Sequence, residues 1–500
     1  MNIFKKYISS LGMMLALALV SADCCSQTLN NIEIRSKTPY TTEDFSSVLK
    51  PYLGREITVP LLKNVLNEIS SFYRQHGYLA AKAYFPEQKS TDGVLSVVVE
   101  TADLENIRIN NLADLKPATV QKLFSRVLTH QRKPLNSSEL NNELLLIRDL
   151  DSFDIAGYFN NSEYSSKAAD LTLDLKPRRR FGFNLFYDNY GTVTTGKHRF
   201  VGVLNSSNLS GHADKANLLM SRSSEKQNNF SFDYRLPFNS KLTELTFAMS
   251  YGNYELGDKF SELDAKGNVF QTSLGIRQPL FRNSRTRVYL TSGGYYKTMT
   301  DKFQAYDVSL KRHSYGVTLG LGMDNFLPKT LLSHNISFNF GRLKNDNDYR
   351  IIDDKSFLIV NASSEFTHDF NERWNLSNRL YLQYANTLLD ASDKFTPGGA
   401  YGVKGFDSNV CSSDLGIFDD VKLRYRVMSS PNLSLYSNFM QAYAKNRNSS
   451  AESLYAAGLG ADLNYRGFYV NMSVNRALGH NRIHAEDKVK FLIKFGYELI

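Results

Sequence analysis

His480 and His484 stand four residues apart, a spacing that on a helix would let two imidazoles share a metal ion. Gly479 and Asn481 flank the first of them and argue for a loop. The nine histidines are otherwise scattered, and a metal centre needs three or four converging ligands, so neither metal nor cofactor is expected. No Ser-His-Asp or paired-carboxylate set stands out. There is no Gly-x-x-x-x-Gly-Lys loop to cradle a nucleotide phosphate. The reading is therefore not an enzyme. The one tight basic run, Arg178-Arg179-Arg180, lacks the clustered basic face and interleaved aromatics of a nucleic-acid surface. It reads as a solvated or headgroup-facing boundary, with no nucleic-acid partner. The richest local chemistry lies in Thr396-Pro397-Gly398-Gly399-Ala400-Tyr401-Gly402-Val403-Lys404-Gly405-Phe406. Pro397 with Gly398-Gly399 allows a sharp turn. Lys404 can reach an acceptor, Gly405 permits close backbone approach, and Phe406 supplies packing.

The elements that carry this loop follow from the hydrophobic pattern. The chain has 500 residues, with 32 Phe and 29 Tyr but 1 Trp and 12 Pro. Aromatic and β-branched residues favour pleated, half-buried surfaces. Mean hydropathy is −0.35, and past the N-terminus no run approaches the roughly 20 apolar residues of a spanning helix. A helical membrane protein is excluded; a barrel is not, since a barrel strand needs only about 10 residues with every second one apolar. The net charge of +9, from 59 basic and 50 acidic side chains, is modest. Lys5 and Lys6, the apolar run Leu11 to Val20, and Val20-Ser21-Ala22 read as a signal peptide over 1–22, with the mature chain starting at Asp23. Asp23 before Cys24 and Cys25 is a poor lipid-attachment context. Cys411 is the remaining cysteine, so no distant pair staples a domain.

Residues 28–101 read as β-α-α-β-β. A strand at Asn31 to Arg35 precedes a helix start at Thr41 to Asp44. A longer helix is capped by Thr58, with Leu61, Leu62, Val65, Ile69, Phe72 and Tyr73 on one face, and ends at Gly77. Strands Tyr78 to Phe85 and Val94 to Val99 flank the turn Thr91-Asp92-Gly93. The same cycle recurs over 104–177: Ile107 and Ile109 on a strand, a helix within Leu115 to Leu128, Ser137-Ser138 before a second helix, then strands Phe153 to Phe159 and Leu171 to Leu175. From 181 to 500 only alternation remains, as in Phe181-Phe183-Leu185, Phe230-Phe232-Tyr234, Tyr289 with Tyr295, and Leu423-Tyr425-Val427. Sixteen strands are expected, about 20 residues each with its turn. Asn205-to-Ala213, Leu236-Pro237 and Gln278-Pro279-Leu280 mark short links, whereas Gly257 to Gly267 and Leu343 to Asp354 mark long ones. Short periplasmic turns opposite long external loops favour a membrane barrel over a sandwich.

In that frame the stretch 390–415 is the sixth external loop. Its Pro397-Gly398-Gly399 and Val403-Lys404-Gly405-Phe406 resemble the P-G-G and V-R-G-F/Y loop of the outer-membrane assembly and secretion superfamily, whose sixteen-stranded barrels follow POTRA domains. More narrowly, the chain resembles the two-partner secretion transporter (TpsB) of haemolysin activation/secretion type. Gly77-Tyr78 with Pro86-Glu87-Gln88, Leu135 to Asp149, Tyr187-Asp188-Asn189-Tyr190-Gly191 with Thr195-Gly196, and Asp233 to Pro237 support this in order along the chain.

The resemblance implies a bacterial outer-membrane translocator with its POTRA domains in the periplasm. An unfolded exported protein adds as a strand to an open POTRA edge, expected at Leu79, Ala81, Ala83 and Phe85. It then crosses the barrel, driven by its own folding outside. The resemblance implies further partners: outer-membrane lipid and lipopolysaccharide, and the barrel-assembly machinery. The alternative is an assembly factor or insertase, though those relatives usually carry three or more POTRA domains; a passive porin would leave the repeated modules unexplained. Three departures stand out. The loop Arg of the family is Lys404, and its acidic wall partner falls at Gln441, so a softer lock and a more readily opened pore are expected. About six residues separate Ala22 from the first strand, too few for a plug helix. The apolar register ends at Leu499 and not at Ile500, leaving Phe495 and Tyr497 as the recognised aromatics.

Overall fold

The computed structural model describes residues 27–89, 92–161, 168–225, 227–257, 262–347, 353–447, 449–480 and 488–499. The leader at 1–22, Cys24, Cys25, Thr91, Asn481, His484 and Ile500 lie outside the described residues.

The first module contains β1 (Asn31–Arg35), α1 (Ser46–Leu49), α2 (Val59–Gln75), β2 (Lys82–Tyr84) and β3 (Val94–Glu100). β3 is central, with β1 parallel on one side and β2 antiparallel on the other. α2 begins where Thr58 Oγ1 accepts the Leu61 amide at 3.3 Å, and it ends before Gly77 at φ +95°. Its inner face brings Val65, Ile69 and Tyr73 against Ile32, Phe45 and Val97, all fully buried. The expected strand from Tyr78 to Phe85 shrinks to three residues. Turn bonds from the Tyr78 amide to Tyr73 O (2.9 Å) and the Ala81 amide to Tyr78 O (3.0 Å) hold the chain out of the ladder until Lys82.

The second module contains β4 (Asp103–Asn111), α3 (Pro117–Leu128), β5 (Lys133–Pro134), α4 (Ser137–Arg148), β6 (Phe153–Asn161) and β7 (Ala168–Pro177), with sheet order β5-β4-β7-β6. The short β5 was not expected. Asn136, and not the serine pair, caps α4: its side chain accepts the amides of Ser138 (3.1 Å) and Glu139 (3.2 Å), while both serines lie inside the helix.

The remaining strands form one closed antiparallel barrel of sixteen. They are β8 (Phe181–Asp188), β9 (Arg199–Ser207), β10 (Lys215–Ser223), β11 (Asn228–Pro237), β12 (Glu244–Glu255), β13 (Ala265–Arg282), β14 (Thr286–Phe303) and β15 (Val308–Leu327). Then come β16 (Thr330–Asn345), β17 (Lys355–Asp369), β18 (Trp374–Ala385), β19 (Leu415–Ser429), β20 (Asn432–Lys445), β21 (Ala451–Tyr465), β22 (Phe468–Leu478) and β23 (Val489–Leu499). β23 closes on β8 from Lys494↔Asp188 to Leu499↔Phe183. Leu185, Leu274, Val317, Phe439, Leu459 and Phe491 are exposed on the outside, a belt far too extensive for water but suited to lipid. Asp188, Glu244, Lys297, Arg312 and Asp420 are buried on the inside.

The second module and the barrel share one core, in which Ala213 and Leu242 from barrel turns pack with Leu123 and Phe124. Ser152 Oγ donates to Ala213 O (2.7 Å) and Asn208 Nδ2 to Ala113 O (2.8 Å). Asp149, just past α4, accepts from Arg282 at 2.8 Å. In the same turn, burial alone would raise the Asp214 carboxyl, but hydrogen bonds led by the Ser210 hydroxyl hold it below the ordinary range. The basic run is used in this joint: Arg178 pairs with Asp151 and Asp154, and Arg180 donates to Leu209 O at 2.6 Å. This is a structural role beyond the solvated boundary expected from the sequence.

The joint fixes the barrel's periplasmic end. The turns there are short, such as 328–329, 430–431 and 466–467, and the opposite end carries 256–264, 346–354 and 386–414. Two details differ from expectation. Gln278-Pro279-Leu280 is no link but lies within β13, where a bulge between Pro279 and Phe281 absorbs the proline; the link is 283–285. Tyr289 and Tyr295 point into the lumen, and Tyr289 lies over Gly322, where a β-carbon would collide with its ring.

Candidate functional site: a strap across the lumen

Between Ala385 and Leu415 the chain leaves the outer rim and folds back into the barrel. Its neck is closed by paired amide bonds between Phe395 and Ser413, at 2.8 and 2.9 Å. The motif then makes its own compact turn. The Val403 amide donates to Pro397 O (2.8 Å), and the Gly399 amide to Phe406 O (3.0 Å). Gly399 adopts φ +90°, a conformation that disfavours residues bearing a β-carbon.

One side of the strap is apolar. Val403 and Phe406 are fully buried against Phe418, Met440, Ala442, Ala444, Leu454, Ala456 and Ala477 on β19 to β22. The small wall residues make room for the strap, and Gly405 lies directly on β22. A β-carbon there would stand 2.8 Å from Ala477 N and 2.9 Å from its Cα, backbone atoms that cannot swing aside. Val410 and Cys411 cover the rim of this patch.

The other side is ionic. Arg312 on β15 donates to Asp390 (2.5 and 3.3 Å) and to Asp301 on β14 (2.7 Å). Lys297 on β14 donates to Asp393 (2.6 Å) and Ser392 (2.9 Å). Lys490 on β23 pairs with Asp407. Arg379 on β18 donates to Tyr401 O at 3.0 Å. Arg199 on β9, held bidentately by Asp188 at 2.8 and 2.9 Å, reaches the Tyr401 hydroxyl at 3.3 Å. These polar ties thus reach β9, β14, β15, β18 and β23.

The pore-loop residues Pro397, Gly398, Gly399, Val403, Lys404, Gly405 and Phe406 come together in this turn, but the expected partner of Lys404 does not. Gln441 has the same parity on β20 as the exposed Phe439 and Tyr443, so it faces outward, where its Nε2 donates to Asp419 at 3.1 Å. The inward positions are Asn438 and Met440. Lys404 itself sits among Lys422, Asp420, Arg379 and Asp462. Among the described residues it makes no hydrogen bond or ion pair. The softer Lys404–Gln441 lock is therefore replaced by buried packing and by the Arg312, Lys297 and Lys490 anchors. None of those three was singled out from the sequence, because each pairs with a residue roughly eighty to a hundred positions away.

At the proposed cargo edge, Leu79 is exposed, Ala81 and Ala83 are buried and Phe85 is half-buried. Only β2 is strand, and the Ala83 amide is already donated to Ser70 Oγ at 3.1 Å.

Known proteins match in the same terms. Residues 27–101 match the POTRA domain of ShlB type. The heme/hemopexin transporter HuxB of Haemophilus influenzae strain 86-028NP is 26% identical over 478 residues, covering 91% of this chain and 84% of that protein. The outer membrane transporter CdiB of Escherichia coli O6:K15:H31 strain 536 is 22% identical over 429 residues, covering 81% and 70%. The solved structure of CdiB from Escherichia coli shares the fold, with a TM-score of 0.81 at 19% identity, covering 98% of this chain and 93% of that one. Residues 168–465 match the haemolysin secretion/activation proteins ShlB/FhaC/HecB, and with its barrel, strap and POTRA modules the chain belongs to that family of two-partner secretion transporters of the outer membrane.

Proposed function

We propose that the chain receives one unfolded exoprotein at its periplasmic modules and passes it through the barrel when the strap leaves the lumen. The observation behind this reading is how the strap is attached. It is covalently part of the wall only at Ala385 and Leu415; beyond one backbone bond at its root, from the Asn386 amide to Leu358 O (3.1 Å), its ties to the wall are side-chain contacts and apolar packing. Release therefore clears a path without breaking a strand pair.

Capture by strand addition needs unpaired backbone groups on an edge. The Leu79–Phe85 edge offers few, since β2 is short and partly capped. We favour β6, nine residues long at the end of its sheet, with Tyr158 and Phe159 exposed for side-chain contact. Outer-leaflet lipid and lipopolysaccharide surround the belt, and the barrel-assembly machinery inserts it.

A deletion strain complemented with the wild-type chain tests the transporter reading. Release of one exoprotein should be lost on deletion and restored by the wild type, and should fall with Tyr158→Ser/Phe159→Ser. Loss of many outer-membrane barrels together, with exoprotein release intact, would support an insertase instead.

A further inference from the structure

The outer face of the barrel changes character above β13 to β16. Tyr296 and Tyr315, paired across β14 and β15, are exposed over an apolar field that includes Val317, Leu319 and Phe340. This is the place expected of an aromatic girdle at the lipid boundary. Toward the external end, on the same outward parity, stand six basic side chains: Lys266, Lys302, Lys311, His313, Arg342 and Lys344. The intervening positions point inward, as buried Met299, Arg312 and Leu343 show.

The register spreads the cluster over four neighbouring strands. Arg342 lies directly opposite Tyr315, His313 opposite Lys344, and Lys266 opposite Lys302. Acids answer three of the six: Asp264 to Lys266 at 3.2 Å, Asp346 to His313 at 2.8 Å and Asp354 to Lys344 at 2.7 Å. Lys302, Lys311 and Arg342 are exposed and make no ion pair among the described residues, although Asp354, bonded to Lys344, also feels the charge of Arg342. Like charges directly opposite in a sheet, as Lys266 and Lys302 are, repel, and an anion between them would relieve this. Lys311 stands four residues beyond Tyr315, about 13 Å at the usual rise per residue. The surplus charge thus begins at the girdle and extends just above it, where headgroup phosphates lie. Among the described strand residues, the other outward arginines, Arg222 and Arg476, lie on β10 and β22, away from this cluster.

We infer that Lys302, Lys311 and Arg342 form a docking surface for the phosphates of lipopolysaccharide in the outer leaflet. Arg342 can offer a bidentate fork to one phosphate at the girdle, while the two lysines, about 13 Å or more farther out along the strands, act as point charges toward another. This deepens the general lipid contact proposed above by naming the face that makes it, and it is independent of how cargo is captured.

The test uses the full-length protein in neutral detergent with labelled, purified lipopolysaccharide, reading retention through size-exclusion chromatography. Lys302→Gln/Lys311→Gln/Arg342→Gln should weaken binding roughly ten-fold, the sum of three exposed charge contacts. Arg222→Gln/Arg476→Gln should leave it unchanged. The wild type should bind dephosphorylated lipopolysaccharide no better than the triple variant binds the intact molecule. Heat-modifiable mobility of each variant reports that the barrel is closed. Equal binding by the triple variant, equal binding of the dephosphorylated form, or equal competition by phosphatidylglycerol overturns the site. Absence of any binding by the wild type overturns the lipopolysaccharide contact itself. Secretion of cargo by the triple variant is read separately, so a failed capture model leaves this result interpretable.

Discussion

The two sides of the strap do the same job by different physics. On β19 to β22, Val403 and Phe406 are held by burial against small apolar wall residues. On β14, β15 and β23, Asp390, Asp393 and Asp407 are held by three wall cations. Burial is non-directional and, unlike an ion pair, is not screened by salt. An ion pair tolerates undocking poorly, because a charge left alone in a confined lumen is costly, yet it re-forms readily once water is admitted. The apolar side can therefore supply most of the docking free energy, with the ionic side setting where the strap's ends sit.

Cys411 can report on this balance without a new label. It is half-buried at the edge of the apolar patch, and burial with Glu452 nearby pushes its thiol up to about 11. Thiol reagents attack the thiolate. A raised value keeps the docked thiol protonated at pH 8. Undocking toward the ordinary value near 9 raises the thiolate fraction, so labelling should accelerate by up to about a hundred-fold. The readout is cleanest with Cys24 and Cys25 replaced by serine.

The largest effect is expected at Phe406. Truncation to alanine removes the side chain that fills the patch, worth about 3 to 5 kcal/mol for a buried phenylalanine. Cys411 labelling should approach the unprotected rate, and planar-bilayer recordings should show a predominantly open pore. Wild-type conductance in Phe406→Ala would refute the apolar side as the main hold.

Arg312→Ala comes next. It leaves Asp301 and Asp390 facing each other without the cation between them, a loss of about 3 kcal/mol. Arg312→Lys keeps the charge but not the fork and should recover part of the loss. If the alanine variant opens the pore more than Phe406→Ala does, the ranking of the two sides is reversed. A smaller effect is expected for Gly405→Ala. Its β-carbon would meet the Ala477 backbone, and overpacking of this kind costs about 1 to 3 kcal/mol. Intermediate Cys411 labelling is the expected result, and labelling at the wild-type rate would show that β22 can yield.

How far this site could be read in the sequence depends on which periodicity carried each part. Barrel and strand number were legible because alternation is written into every strand. The strap motif was legible as a cluster of Pro, Gly and aromatic residues. The wall partner was misplaced by parity, since a shift of one position in a strand moves a side chain to the other face. Phe439 and Tyr443 already fix the lipid-facing phase of β20, so Gln441 could have been assigned outward from the sequence. Met440, Ala442 and Ala444 could likewise have been noticed as apolar on a face expected to be wet. The Arg312, Lys297 and Lys490 anchors had no such signal, because nothing local marks a cation that closes on a carboxylate arriving from a distant loop.

That parity argument bears most directly on Lys404, where the smallest effect is expected. A lysine locked to one wall acceptor would, on removal, release the strap. Here the nearest charges are two acids and two further cations, and Lys404 is tied to none of them by a hydrogen bond or ion pair among the described residues. Lys404→Ala removes a half-buried ammonium that lacks a close partner, so what it loses in attraction to Asp420 and Asp462 is offset by relief from Lys422 and Arg379. Burial without a close partner gives this ammonium little net hold on the strap, so conductance and Cys411 labelling should stay within about two-fold of wild type. Gln441→Ala, on the lipid face, should also leave both readouts unchanged. Release of the strap by Lys404→Ala alone, to the extent seen with Phe406→Ala, would restore the single-residue lock and demote the apolar patch to a spectator.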